Sequence, residues 1–537
     1  MTNTSTAKPE VASSFLAGLL LTLGLTAPLL ALMFLAQQIV GTPFTPFDVF
    51  DLVSRTLPGS VVTTGIDSIV GVLSALGLSV RDTAKLAEQG LAVGLTLGLA
   101  LIGGSVFFVW QRGRRSSPRT GLVYGLIVGV LLAAVSATRP GASVIDGIWT
   151  LLALLVWGLG LAWVQRRWLR PSPSEPVSAE RLNRRQFVVR VGGAAALITV
   201  AGAGVGAALG RRNDALAKAA EGQRWSASNA LPNTDATVKA VDGTRPEYTP
   251  LEQYYRIDIN LTPPAIEEGD WRLRVEGLVD TPKEYTLDEL RAYDPTHQFI
   301  TMACISNPVG GELTSTTRWT GVPLQRLLSE WGLQDTATHL RITSADGFFE
   351  YVAVKDIQND ERIMLAYAWD GVPLRTRNGF PLRIYLPDHF GMKQPKWIES
   401  IEAVEAWEPG YWVLRSWNRN AVIKSTSVID TVGANMMLGT PEGQGAMVPV
   451  GGIAFAGARG VSKVEVKVDD GAWQEAQLRT PMSELTWVVW RFEWPFSAGK
   501  HTFTVRCTDG DGKAQVTNVA PPHPNGATGL DSRRAMA

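Results

Sequence analysis

The stretch Phe299-Ile-Thr-Met-Ala-Cys304-Ile-Ser306-Asn307-Pro308-Val-Gly310-Gly311, which closes with Arg318-Trp319-Thr-Gly-Val-Pro-Leu324, decides how the chain is read. It contains one of only two cysteines in 537 residues. Cys304 follows a short apolar run and precedes a polar, glycine-containing loop. A thiolate at the end of a strand, facing a cleft, suits two roles, nucleophile or soft metal ligand. Inert burial is the ordinary alternative for a free cysteine. The neighbouring segments have to decide between them.

Net charge is zero, but the two parts of the chain differ. Residues 1–210 contain 16 Lys+Arg against 9 Asp+Glu, and the remainder 34 against 41. The basic residues of the first part sit among apolar runs and form no polar basic face, which argues against a nucleic-acid partner. Two cysteines exclude a disulfide framework. The five histidines (His297, His339, His389, His501, His523) all follow residue 296. The N-terminal region therefore has no imidazole to offer haem or zinc.

That region reads as a helical membrane domain, residues 1–210. Residues 15–40 form an apolar run without charge, long enough to span a bilayer at about 1.5 Å per residue. Further spans are expected at 91–110, 121–137, 148–164 and 187–209. Basic clusters follow the second span (Arg112, Arg114, Arg115, Arg119) and the fourth (Arg166, Arg167, Arg170, Arg181, Arg184, Arg185). With both clusters in the cytoplasm, the N-terminus is inside, the chain crosses five times, and everything after Arg211 is extracytoplasmic. Residues 61–80 are apolar enough to tempt a sixth crossing. A crossing there would move Arg112–Arg119 outside, so an interfacial helix is expected instead. Asn183-Arg184-Arg185-Gln-Phe-Val188, ahead of a weakly apolar Gly/Ala stretch, resembles a twin-arginine export signal, an internal one over 183–209. Ordinary positive flanks of a span read the same way.

Residues 211–247 are polar and aperiodic, as in a linker. From residue 248 onwards, short strands and short helices alternate. Trp271-Arg-Leu-Arg-Val275 alternates as a strand does, Thr286 caps a helix through Arg291, and residues 322–331 form another helix that stops at Gly332. This mixture predicts an α+β domain over 248–415. No phosphate-binding glycine loop follows a strand, which excludes the common nucleotide folds. Beyond it, over 416–537, Val464-Glu-Val-Lys-Val468, the turn Asp469-Asp470-Gly471, and the strand His501-Thr-Phe-Thr-Val-Arg-Cys507 predict an immunoglobulin-like β-sandwich with Cys507 in its core.

Two further segments carry chemistry. One is Met364-Leu-Ala-Tyr367-Ala-Trp-Asp370-Gly371-Val-Pro-Leu374 with Asn378-Gly379-Phe380-Pro-Leu-Arg383. The other is Leu386-Pro-Asp388-His389-Phe-Gly391-Met-Lys393-Gln394-Pro-Lys396-Trp397, running on to Gly410-Tyr-Trp412. Arg383, Lys393 and Lys396 supply the fixed cations that an anionic phosphate in a partly closed site requires. Together with the Cys304 stretch, these segments resemble the sulfite oxidase family of molybdopterin enzymes. The resemblance implies Cys304 as the molybdenum ligand, with Ser306 and Asn307 shaping the loop beneath it. It implies Arg383 at the cofactor phosphate, Lys393, Gln394 and Lys396 at the pterin, and Tyr255 and Arg256 near the metal or pterin. His389 is either a further pterin contact or a structural histidine. Asn378 replaces a family histidine, and Tyr351 is the candidate for the family's active-site tyrosine. Pro308 and Ser306 stand where true sulfite oxidases carry an arginine and a glycine.

The implied protein is a membrane-tethered, outward-facing molybdenum–molybdopterin oxidoreductase without haem, acting on a small molecule and exchanging electrons with a separate carrier, a c-type cytochrome or the quinone pool. Sulfite oxidation is its default reaction and sulfoxide reduction the alternative. The sandwich resembles the family's dimerisation domain, which implies a homodimer. The rival from another class is a non-catalytic membrane binding or assembly protein, whose signature is loss of Cys304, Arg383 or Lys396.

Overall fold

Charge-free apolar runs leave a chain in lipid one economical way to satisfy its backbone, the helix. The structure, a computed structural model, describes residues 10–76, 80–111, 114, 116–139, 142–168, 189–190, 192–209, 231–433 and 446–536. Its helices begin with α1 (Glu10–Val40), α2 (Thr45–Thr56), α3 (Gly59–Ala75), α4 (Val80–Trp110), α5 (Pro118–Ala137), α6 (Val144–Trp168) and α7 (Gly192–Leu209). Among the described residues, five are long and apolar enough to cross a membrane: Gly18–Val40, Lys85–Trp110, Pro118–Ala137, Val144–Arg167 and Gly192–Leu209. They fall on the five expected runs. Arg184 and Arg185 of the twin-arginine reading lie outside the described residues.

The chain divides into two units, Met1–Leu57 with Lys85–Ala220 and Asn260–Thr262, and Pro58–Ala84 with Glu221–Ile259 and Pro263–Ala537. In the first, α5 buries Gly121, Gly125 and Gly129 against α6, and the Trp157 indole donates to Thr26 Oγ1 at 3.0 Å. α3, within the stretch expected to be interfacial, groups with the second unit and is not among the five crossing-length helices.

The second unit continues with β1 (Leu273–Gly277), β2 (Lys283–Tyr285), β3 (Thr296–Ala303), β4 (Thr314–Pro323) and β5 (His339–Ser344). Next come β6 (Phe349–Ala353), β7 (Met364–Trp369), β8 (Val372–Pro373), β9 (Arg383–Tyr385) and β10 (Ile398–Val404). One sheet has the order β2-β1-β10-β5-β6, with β1 and β10 parallel. The other has the order β3-β4-β7-β8, and β9 also pairs with β7. Between them lie α8 (Leu287–Arg291), α9 (Leu324–Trp331) and α10 (Val354–Asn359). Thr286 and Glu289 exchange side-chain and backbone bonds in a capping box at the start of α8. α9 buries Leu324, Leu327, Leu328 and Trp331, and ends where Gly332 takes φ 64°. These residues share one core with Leu273, Ile342, Leu365, Ile384 and Ile401. The α+β expectation holds.

The remaining strands are β11 (Thr426–Val432), β12 (Met447–Phe455), β13 (Val461–Val468), β14 (Gln474–Glu475), β15 (Gln477–Leu478), β16 (Val488–Pro495), β17 (Lys500–Asp509) and β18 (Asp531–Met536). They form two four-stranded sheets, β11-β12-β16-β15 and β14-β13-β17-β18. Val448, Val450 and Trp490 from one share a core with Val464, Val466, Phe503 and Val505 from the other. Cys507 is buried in that core, beside Gln515.

Residues 231–247 depart from the linker expectation. Arg479 donates to the carbonyls of Asn233, Ala236 and Val238 and to the Glu247 carboxylate at 2.8–3.2 Å. Val241 is buried, against Gly451. A polar composition conceals this because the partner is a single arginine more than 230 residues away. Arg479→Ala is expected to cost about 2–3 kcal/mol of stability and to expose 231–247 to protease in the native protein. A digestion pattern identical to wild type would count against that role.

Candidate active site around Cys304

β3 ends at Ala303, so Cys304 leaves the sheet at its edge, as expected of a strand-end thiol. A loop of the sandwich holds the approach. Thr301 N donates to Leu485 O at 3.0 Å, Trp487 N to Thr301 Oγ1 at 2.9 Å, and Ser483 Oγ to Phe299 O at 2.6 Å. The Cys304 amide donates to Leu313 O at 2.9 Å, and Asn307 Oδ1 accepts from Leu313 N at 2.9 Å, closing the loop. The thiol lies 3.0 Å from Ser306 Oγ and is buried. Burial pushes its pKa up, while the Ser306 hydrogen bonds and the nearby Lys396 cation pull the other way.

Around this thiol an aromatic floor carries a cation. Tyr254 stacks on Tyr255 at 5.6 Å and meets Trp319 and Trp369 edge-on at 5.7 and 5.2 Å. The Arg383 guanidinium sits 4.9 Å from the Trp319 ring, donates to Asn378 O at 3.1 Å, and approaches Met302 Sδ at 3.6 Å. It is buried, and among the described residues no carboxylate pairs with it. Burial lowers its pKa accordingly. Lys396 Nζ donates to Ile257 O at 3.1 Å and to Asp258 Oδ2 at 3.3 Å, and Arg256 shares that carboxylate at 2.7 Å. Desolvation lowers the Lys396 pKa from 10.5 to about 8; Asp258 opposes this, and Arg383 and Arg256 add to it. Buried polar atoms without a partner gather here too: Tyr254 Oη, Asn378 Oδ1 and Trp319 Nε1.

Residues 260–412 match the family described as oxidoreductase molybdopterin binding domain. Chicken (Gallus gallus) sulfite oxidase is 26% identical over 317 residues, covering 51% of this chain and 69% of its own. Human mitochondrial sulfite oxidase is 24% identical over 307 residues, covering 49% and 56%. These residues are a molybdopterin-binding oxidoreductase domain of the sulfite oxidase family. The putative protein-methionine-sulfoxide reductase subunit YedZ1 of Azospira oryzae is 27% identical over 175 residues, covering 33% of this chain and 63% of its own. The chain thus spans between about half and two thirds of the length of these relatives. A solved structure, the sulfane dehydrogenase SoxCD from Paracoccus pantotrophus, aligns at a TM-score of 0.47 and 20% identity over 55% of this chain and 82% of its own.

The residues present fit a molybdopterin. A buried guanidinium without a counter-ion is costly unless an anion completes it, and the cofactor's phosphate has that charge. The unpartnered amide, phenol and indole atoms are the hydrogen-bonding groups that a polar heterocycle requires. Cys304 supplies one soft thiolate; among the described residues no three His, Cys, Asp or Glu side chains gather around it, so the metal's other ligands would come from the cofactor.

Tyr255, Arg256, Ser306, Asn307, Asn378, Arg383 and Lys396 lie in or beside this cluster or its loops, while the Gln394 amide donates to His389 O at 2.9 Å. Tyr351, His389 and Lys393 instead line a separate cleft of about 1100 Å³. Tyr351 donates to Glu408 at 2.9 Å, which with burial pushes its pKa up to about 12. His389 Nδ1 lies 2.8 Å from the Pro387 carbonyl, and Lys393 forms a 2.6 Å ion pair with buried Glu350. The tyrosine beside Cys304 is Tyr255, not Tyr351. Sequence reasoning passed over Asp258, Trp319, Trp369 and Glu350; for Glu350, an acid between the aromatic neighbours Phe349 and Tyr351 was the available signal.

Arg383→Ala is expected to abolish cofactor retention, read as molybdenum per chain after gel filtration, while the more exposed Arg341→Ala leaves it unchanged. Lys396 gives a pH dependence with a defined sign. Below about pH 8 it is charged and attracts an anion; as pH rises through that value the attraction fades. Molybdenum retention on dialysis is expected to fall between pH 7 and 9.5 in wild type. Lys396→Arg, which keeps the charge, is expected to flatten that fall.

Proposed function

We propose that the chain is a membrane-tethered, extracytoplasmic molybdopterin oxidoreductase that transfers an oxygen atom to or from a small oxyanion or sulfur compound, with sulfite oxidation as its default reaction. The observation that carries this is the buried Arg383, without a carboxylate partner, on the same aromatic floor as the Cys304 thiol. When bound, the molybdenum cofactor supplies two-electron chemistry at an oxo group. The protein's part is positional and electrostatic. Cys304 would hold the metal through sulfur, with the Ser306 hydroxyl, 3.0 Å away, donating to that sulfur. Arg383 would hold the phosphate, with Asn378 beside it, and Lys396 and Gln394 would hold the pterin. Burial holds the Tyr255 phenol well above its ordinary pKa, so it stays protonated and serves as a hydrogen-bond donor next to the reacting centre. Arg256, oriented by Asp258, adds positive charge for an oxyanion.

Sulfoxide reduction is the second reading. It is favoured by Pro308, which stands where a sulfite-binding arginine is expected, and by the similarity to a protein named as a methionine-sulfoxide reductase subunit. A pure binding protein is disfavoured because Cys304, Arg383 and Lys396 are all retained. Electrons would pass to a separate carrier, a c-type cytochrome or a quinone-linked partner, since residues 1–296 contain no histidine for haem. The two facing four-stranded sheets support an immunoglobulin-like domain of the kind this family uses to dimerise, hence a homodimer. The basic clusters support an N-terminus in the cytoplasm and the catalytic unit outside.

The deciding experiment compares molybdenum content and sulfite-dependent ferricyanide reduction in wild type and Cys304→Ser. Stoichiometric metal with turnover, both lost in the variant, is expected. Metal without sulfite turnover, but with methionine-sulfoxide reduction by a dithionite-reduced dye, would favour the second reading. Metal bound by neither form, from a host that makes the cofactor, would overturn the enzyme assignment. For topology, cysteines placed at Ser117 and Val519 are expected to react with an impermeant maleimide only at residue 519 in intact cells.

A further inference from the structure

We infer that Glu350 is a positioning residue for the Cys304 site, acting through Lys393 on the turn that presses against the Tyr255 hydroxyl. The inference rests on the oxidoreductase reading and deepens it. Glu350 on β6 is fully buried and lies 2.6 Å from Lys393, itself only 7% exposed. Its Oε1 also accepts from Tyr351 N at 2.8 Å, and its Oε2 has no partner. The backbone has been cleared for this carboxylate: a Cβ on Gly410 would collide with it. Burial raises the Glu350 pKa, and Lys393 and the Tyr351 amide offset only part of that rise, so the carboxylate depends on its partner to stay charged.

Lys393 ends the short turn Gly391–Lys393, whose Lys393 amide donates to Phe390 O and whose Gly391 carbonyl accepts from Gln394 N, both at 3.0 Å. The start of that turn touches the site. A Cβ on Gly391 would lie 3.0 Å from Tyr255 Oη and 3.5 Å from Ala303 O, the carbonyl immediately before Cys304. The turn's other end carries Gln394, whose amide donates to His389 O at 2.9 Å and leaves its carbonyl oxygen without a partner. One rigid three-residue turn therefore links a buried ion pair to the phenol and the backbone that flank the thiol. Truncating either partner leaves an uncompensated buried charge and releases the turn. Replacing both with neutral groups removes that charge while leaving the turn unanchored.

The test uses Glu350→Gln, Lys393→Met and the double variant in the full chain, with two readouts. In protein made without the cofactor, iodoacetamide labelling of Cys304 is followed by peptide mass spectrometry, with buried Cys507 as the internal reference. Labelling is expected to rise about fivefold in each variant, because the turn no longer shields the thiol. In loaded protein, kcat is expected to fall about tenfold with KM within twofold, as a displaced phenol would produce. Molybdenum content stays at the wild-type level. The double variant is expected to recover thermal stability without recovering either readout. Wild-type labelling and kcat in the double variant would overturn the inference and leave the pair a stabilising contact only, as would raised labelling with unchanged kcat. Absence of molybdenum from every form would instead reject the oxidoreductase reading, and the labelling arm would still report on the turn.

Discussion

A guanidinium buried against an indole, with no carboxylate paired to it among the described residues, is the constraint on which the rest of the catalytic unit depends. Arg383 is placed there by β9, which pairs with β7 on the same sheet that delivers Cys304 from β3. The cost of holding that charge out of water is met partly by the Trp319 face and the Asn378 carbonyl. The remainder calls for an anion. Lys396 and Arg256 gather around a single carboxylate, Asp258, so the group as a whole carries more positive than negative charge. This imbalance, more than any one residue, gives the site its preference for a phosphate-bearing cofactor.

Precision at the thiol comes from elsewhere. The segment from Ser483 to Trp487 leaves the sandwich and hydrogen-bonds to β3 at Phe299 and Thr301, and Leu485 enters the core beneath Tyr254 and Trp369. Ala303, Ile305 and Phe390 share another core with Ile423, Ile453 and Trp487. The loop bearing Cys304 is therefore clamped between the α+β part and the sandwich. Such a seam resists small displacements because packed cores deform little, which suits the role proposed for Cys304 as a metal ligand.

Much of this was legible from local pattern. Continuous apolar runs gave the five spans, the Thr286 cap gave α8, and Gly332 gave the end of α9, because each depends on residues within one or two turns of one another. The thiol's strand-end position followed from the apolar run before it. Pairings over long separations were not legible. Lys393 looked like a phosphate ligand because its motif is cationic, yet Glu350, 43 positions earlier, takes its charge. Tyr351 was expected from the resemblance as the active-site tyrosine, but it donates to Glu408, while Tyr255 lies in the Cys304 cluster on a segment without regular structure. Residues 231–247 looked like free linker because nothing in their composition announces Arg479.

The Lys396 ammonium, with its pKa drawn down to about 8, also bears on the life of the protein before it is complete. A ligand that binds only the folded state adds to its stability in proportion to the logarithm of its concentration over its dissociation constant. For a chain whose interior repels its own cations, that contribution falls where the fold is weakest. Newly made copies lacking the cofactor would then open more often and fall first to proteases. The steady-state amount of the protein would then follow the cell's supply of molybdenum and pterin, with the vacant electrostatics of the site acting as the sensor.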